Sequence, residues 1–88
     1  MAQRVVFLGS RSGLHARPAA TFSKAAAQAA VPVTLATHGK GPVAASSLLG
    51  ILTLGVQFGE QVTLTAEGDG AESVLDHLAE MLSSELDA

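Results

Sequence analysis

The residues best suited to chemistry stand together near the start of the chain, in Ser12-Gly13-Leu14-His15-Ala16-Arg17-Pro18-Ala19-Ala20. His15 offers a nucleophilic imidazole near neutral pH, since its reference pKa is about 6.5. Arg17 adds a guanidinium fork suited to phosphoryl oxygens, and the Ser12 hydroxyl is a further donor within loop reach. The residues that follow are alanine-rich, and Pro18 is tolerated only in a first turn. The spacing therefore predicts a helix that starts within a residue or two of His15. The first turn of any helix carries N–H groups without intrahelical partners, and the macrodipole makes that end positive. His15 and Ala16 occupy the positions where a Ser, Thr, Asp or Asn cap would stand, which leaves those N–H groups for an anion. The stretch reads as a place where an imidazole takes up a phosphoryl group, steadied by Arg17, Ser12 and the backbone at Ala16. Two plainer readings use the same residues: a solvated loop histidine, and an anion site without covalent chemistry.

Other chemistries find less support. No second His, Cys or carboxylate stands at ligand spacing from His15, so no metal site is expected, and no cofactor. No G-x-S-x-G elbow accompanies the serines, which argues against a hydrolytic triad. His38 falls in a turn-like stretch and reads as solvent-facing. His77 falls on the polar side of a helical pattern, near Glu80, and reads as a surface contact.

A second feature is Ala44-Ala45-Ser46-Ser47-Leu48-Leu49-Gly50-Ile51-Leu52-Thr53-Leu54-Gly55. A helix as short as Leu48 to Leu54 buries only some of its apolar residues, and the remainder forms an uncharged patch suited to docking. Ser46 or Ser47 caps that helix. Phosphorylation there would add about -1.5 to -2 charges beside the patch, which the helix start tolerates and an acidic partner would not.

The 88 residues suit one domain with one core. An apolar fraction of 48% with 15% charged residues supports a packed globule over a disordered chain. The net charge of -3 disfavours nucleic acid as a partner, and three Phe with no Tyr or Trp leave few platforms for stacking bases. The absence of Cys removes disulfides and thiolate metal sites and fits a reducing compartment. The N-terminal residues lack the apolar core of a signal peptide, and the uncharged window from Gly41 to Gly59 is broken by Pro42, serines and glycines. A soluble, cytoplasmic protein without membrane insertion is expected.

The elements that must position these features follow from periodicity. Arg4–Leu8 reads as a first strand, and Ala16–Ala30 as a helix with Ala19, Ala20, Phe22, Ala26, Ala27 and Ala30 on its apolar face. Val31–Thr37 reads as a second strand with Pro32 at its start, His38–Pro42 as a tight turn and Val43–Ala45 as a short third strand. Leu48–Leu54 is the short helix, ending near Gly55, and Gln61–Glu67 alternates as a fourth strand. The last helix turns its Ala71, Val74, Leu75, Leu78, Leu82 and Leu86 inward. The order β-α-β-β-α-β-α predicts a two-layer α+β domain with helices on one face of a four-stranded sheet.

These two stretches together resemble the HPr family, the histidine-containing phosphocarriers of the bacterial sugar phosphotransferase system. Gly13-Leu14-His15-Ala16-Arg17-Pro18 is similar to the family's active-site signature, and Ser47-Leu48-Leu49-Gly50-Ile51-Leu52-Thr53-Leu54-Gly55 to its regulatory-serine segment. The resemblance spans the whole chain, residues 1–88 as one domain. It implies an open-faced β-sandwich with a four-stranded antiparallel sheet under three helices. It also implies a stoichiometric carrier rather than an enzyme. His15 would be phosphorylated on its pros nitrogen by Enzyme I, itself charged from phosphoenolpyruvate, and would pass the group to sugar-specific IIA components. Arg17 would stabilise that group with help from Ser12 and the first helical N–H groups. Leu48, Leu49 and Leu52 fall where the family keeps its docking residues. One extra residue between Lys40 and Ala45 makes Ser47, rather than Ser46, the match to the serine that an HPr kinase/phosphorylase modifies. Gly50 stands where some members carry a basic residue, which bears on partner preference. A monomer suits a carrier that docks with several proteins in turn. Two alternatives stay open: a paralogous carrier of a regulatory or nitrogen-linked branch, and a non-covalent anion-sensing module.

Overall fold

The computed structural model describes residues 2–9, 11, 13, 14 and 16–84, with the Ala16 side chain left aside. The expectations for Ser12, His15 and Leu86 therefore lie outside the described residues. Seven elements follow in order: β1 (Ala2–Phe7), α1 (Ala16–Ala27), β2 (Val33–Thr37), β3 (Lys40–Ala44), α2 (Leu48–Leu54), β4 (Gln61–Ala66) and α3 (Ala71–Ser83).

Alternation sets the sheet. In β4 the residues Val62, Leu64 and Ala66 are buried while Thr63 and Thr65 between them are half-exposed, so the strand has one core face. It lies inside the sheet, antiparallel to β1 from Ala2↔Ala66 to Phe7↔Gln61 and to β2 from Val33↔Ala66 to Thr37↔Val62. The order is β1-β4-β2-β3. A slip of one residue would turn Val62 and Leu64 out to solvent, and that penalty fixes the register. Val6, Val33 and Leu35 complete the inward face, while Val5 and Phe7 remain exposed on the other. The fold is the expected open-faced α+β sandwich, a four-stranded antiparallel sheet under three helices.

Each helix brings one apolar stripe to that sheet. The last helix buries Ala71, Leu75, Leu78 and Leu82, with Val74 half-buried, as the leucine spacing predicts, and it covers β1 and β4. Gly9 N–H donates to the Leu82 carbonyl at 2.8 Å, and a Cβ on Gly9 would overlap the Ser83 carbonyl. Only glycine allows the chain leaving β1 to pass so close to the end of α3. Arg4 ties the same two elements from outside, its Nε donating to Asp76 Oδ1 at 2.8 Å with Glu72 at 3.6 Å.

Several boundaries differ from the expectation: β1 is Ala2–Phe7 rather than Arg4–Leu8, and β4 ends at Ala66 rather than Glu67. The third strand is Lys40–Ala44 rather than Val43–Ala45, and the turn shrinks to the His38-Gly39 region. Pro42 sits within the strand because β3 is an edge strand, where a missing donor does little harm. The first helix ends at Ala27, not Ala30, as Gln28 N–H divides between the Lys24 and Ala25 carbonyls at 3.3 and 3.2 Å. Its buried stripe is Ala19, Phe22, Ser23 and Ala26, whereas Ala20, Ala27 and Ala30 are exposed. One large ring, Phe22, decides which side faces inward, because an alanine gives little burial energy to either choice. The second strand starts at Val33, just past Pro32.

Candidate functional site

The approach to α1 is held on both sides of His15. Before it, Gly13 adopts a φ of 83°, a left-handed turn that favours glycine, and Leu14 is buried. Leu14 N–H donates to the Val56 carbonyl at 2.9 Å, pinning the residue that immediately precedes His15. After it, α1 starts at Ala16, and Pro18 in the first turn is buried. Proline carries no N–H, so the described first-turn donors without an intrahelical partner are those of Ala16 and Arg17. The first turn of α1 contains no acidic residue, which leaves the positive end of the dipole unopposed there. Arg17 is exposed on that turn, and its carbonyl accepts from the Thr21 hydroxyl at 3.3 Å. The described part of the site thus consists of a pinned loop, a helix start rich in donors and one exposed guanidinium.

The neighbouring α2 packs against α1. Ser47 is its N-cap, with φ -97° and ψ 107°, and the Ser47 Oγ accepts from Gly50 N–H at 3.1 Å. Ser46 precedes the cap and is exposed, so the two serines that the sequence left as alternatives have different environments. A Cβ on Gly50 would stand 3.2 Å from both Ser47 Oγ and Val43 Cβ, so glycine keeps the cap hydroxyl uncrowded. Gly55, at φ 61°, ends the helix and donates to the Leu52 carbonyl at 3.2 Å. Within α2 the apolar residues divide. Ile51 and Leu54 are buried, while Leu48, Leu49 and Leu52 are 37%, 78% and 36% exposed.

Charge sharpens the character of this face. Every Lys and Arg of the chain lies at or before position 40, and every Asp and Glu at or after position 60. The α1 and α2 helices therefore carry Arg17 and Lys24 and no carboxylate, whereas α3 carries Glu72, Asp76 and Glu80. Exposed leucines beside cations suit an acidic protein surface with an apolar centre. The other two histidines stay apart from this face: His38 is exposed in the β2–β3 turn and His77 is exposed on α3. Among the described residues no group of three or more His, Asp or Glu could hold a metal ion. No described helix is long and apolar enough to cross a membrane.

Two features were not legible in the sequence. Phe58 is exposed on the turn after α2, which Glu60 fixes by accepting from Gln57 N–H at 2.6 Å. Lys40, which the sequence puts in a turn, reaches from β3 to the Leu54 carbonyl at the end of α2, 3.5 Å away. Neither follows any short-range pattern; each depends on what the fold brings near.

Comparison with known proteins addresses the family. Residues 2–84 match the family model described as the PTS HPr component phosphorylation site. The phosphocarrier protein HPr of Streptomyces coelicolor is 45% identical over 87 residues, covering 99% of this chain and 94% of that protein. Among solved structures, an HPr-C-His from Thermoanaerobacter tengcongensis superposes with a TM-score of 0.90 at 34% identity, covering 100% of this chain and 98% of that one. A phosphocarrier protein HPr from Bacillus anthracis str. Ames gives 0.86 at 36% identity, over 92% and 95%. Taken with the sandwich fold and the motif at the start of α1, these matches show that the chain belongs to the HPr phosphocarrier family.

Proposed function

We propose that this phosphocarrier accepts a phosphoryl group on the pros nitrogen of His15 from charged Enzyme I and passes it to sugar-specific IIA components. The observation that carries the reading is the start of α1, directly behind His15, with Leu14 anchored to Val56 and Arg17 exposed on the first turn. In the transfer, the imidazole lone pair forms the new nitrogen–phosphorus bond. The bond from phosphorus to its donor breaks, and its electron pair leaves with the donor. Charge then spreads over three equatorial oxygens, which Arg17, the Ser12 hydroxyl and the N–H groups of the first turn, Ala16 included, are suited to receive. The same contacts serve both directions, so the group moves on with little loss of free energy. The chain acts stoichiometrically, one phosphoryl group per His15, and is not an enzyme.

Docking falls to Leu48, Leu49 and Leu52, whose exposure beside the cations of α1 supports an acidic partner surface. Ser47 is the regulatory position for an HPr kinase/phosphorylase. Its place at the N-cap favours it over Ser46, because an added phosphoryl group there stands beside the exposed leucines. The whole chain serves as one cytoplasmic carrier domain, monomeric, without nucleic acid, metal or membrane insertion.

Incubation with phosphoenolpyruvate and Enzyme I tests this. A gain of one acid-labile phosphoryl mass is expected in the wild type and none in His15→Ala. Reversible phosphate binding without a covalent adduct would instead support an anion-sensing module.

A further inference from the structure

The residue before His15 has an anchor, and the anchor has a support that no motif reveals. Lys40 is the only Lys or Arg after position 24 in the chain. It opens β3, where its backbone pairs with Thr37 at the closed end of the β2–β3 hairpin. The backbone of Lys40 is therefore set by the sheet, while its side chain crosses to α2. There Nζ donates to the Leu54 carbonyl at 3.5 Å, in a partly buried position. The last turn of α2 has no basic residue of its own. A helix end left with unpaired carbonyls favours a cation, and Lys40 supplies one from another element.

What lies beyond that carbonyl gives the contact its significance. Leu54 is the last residue of α2, Gly55 reverses the chain in a left-handed conformation, and Val56 follows, fully buried. The Val56 carbonyl accepts the N–H of Leu14, the residue before His15. Gln57 Nε2 also donates to the Gly55 carbonyl at 3.2 Å, so the short connection from Leu54 to Gln57 is held at several points. A continuous line of polar contacts and chain thus runs from the edge of the sheet, through the end of α2, to Leu14, the residue before His15.

We infer that Lys40 is a positioning residue for phosphoryl transfer: its ammonium fixes the end of α2 so that Val56 holds Leu14, and with it the approach to His15. The inference rests on the proposed carrier function. It goes beyond that reading by giving a role to a side chain outside both motifs. Lys40 touches neither the phosphoryl group nor a partner in this role; it acts through Leu54 and Val56. Charge and reach are both required, so arginine replaces it and a neutral isostere does not.

Amide hydrogen exchange by NMR reads the coupling without any phosphoryl transfer. In Lys40→Met the Leu14 N–H is expected to exchange about three-fold faster than in the wild type, the size of effect a cation at a helix C-terminus produces. Leu64 in β4 should keep its wild-type protection, which shows that the fold is intact. Lys40→Arg should restore the Leu14 rate, and Lys24→Met, which removes a cation from α1, should leave it unchanged. Steady-state transfer with the chain as the substrate of Enzyme I gives the second readout: kcat falls about three-fold for Lys40→Met while KM for the chain holds. Wild-type exchange at Leu14 in Lys40→Met would overturn the inference, as would failure of arginine to rescue. A raised KM with unchanged kcat would make Lys40 a docking contact instead. Should Lys40→Met lose protection at Leu64, Lys40→Gln is read by the same criteria. If the wild type accepts no phosphoryl group, the carrier reading falls, yet the exchange experiment still decides whether Lys40 governs Leu14.

Discussion

The second and third helices use the same residue for opposite ends. In α3, Leu75, Leu78 and Leu82 stand at helical spacing and are buried, with Glu72, Asp76 and Glu80 facing water. In α2, three leucines of a seven-residue helix remain exposed and no charged residue accompanies them. Both helices sit on the same sheet, so hydrophobicity alone does not distinguish them. Length does. A helix of thirteen residues offers a full stripe to β1 and β4, while one of seven has room to bury only Ile51 and Leu54 against β2 and β3. Leucine beyond that need contributes little to folding and is available for a partner. The α3 side of the molecule thus buries its leucines, while the α1–α2 side leaves three of them exposed, as the proposed docking role requires.

Substitutions should separate the two sides. The largest effect on stability is expected from Leu75→Ala, which leaves a cavity against the sheet and costs about 3 kcal/mol in denaturant unfolding. Phosphoryl transfer at a temperature well below its midpoint should be near normal. An equal loss from Leu49→Ala would erase the distinction between the helices. Arg17→Ala is the converse case. Transfer from Enzyme I is expected to slow roughly 100-fold, a typical cost of removing one donor to developing charge, with unfolding unchanged. Wild-type transfer rates would remove Arg17 from the mechanism.

Smaller effects sharpen the picture of the contact face. Leu49→Ala should alter stability by less than about 0.5 kcal/mol, as exposed substitutions do. The KM of Enzyme I for this variant should rise several-fold. The smallest expected difference is between the two serines. Aspartate remains a good N-cap, so Ser47→Asp should unfold like the wild type yet weaken Enzyme I docking more than Ser46→Asp does. Equal weakening by the two would leave Ser47 without preference as the regulatory position.

Legibility followed the range of the forces involved. The limits of α2 were readable because Ser47 and Gly55 act within one turn, through a side-chain cap and a left-handed residue. The buried stripe of α3 was readable because leucines carry a strong periodic signal. The end of α1 and its inward side were misread where alanines offered little energy to distinguish one side from another, and Ser23 was missed as a buried position. The extent of β3 was misread because Pro42 is disruptive in a central strand and harmless at an edge, and edge position is a property of the finished sheet. At the proposed site, His15, Arg17 and Ser47 are nominated by residue type and order alone. Lys40 is not, since its partner is a backbone carbonyl fourteen positions away that any residue would provide.

The central claim is that the imidazole at the head of α1 is the atom group that carries the phosphorus. After charging with phosphoenolpyruvate and Enzyme I, tandem mass spectrometry at neutral pH should find the whole phosphoryl mass on the peptide containing His15. A phosphoryl group on His38, His77 or a serine, or a chain that stays unmodified beside an active Enzyme I, would contradict it.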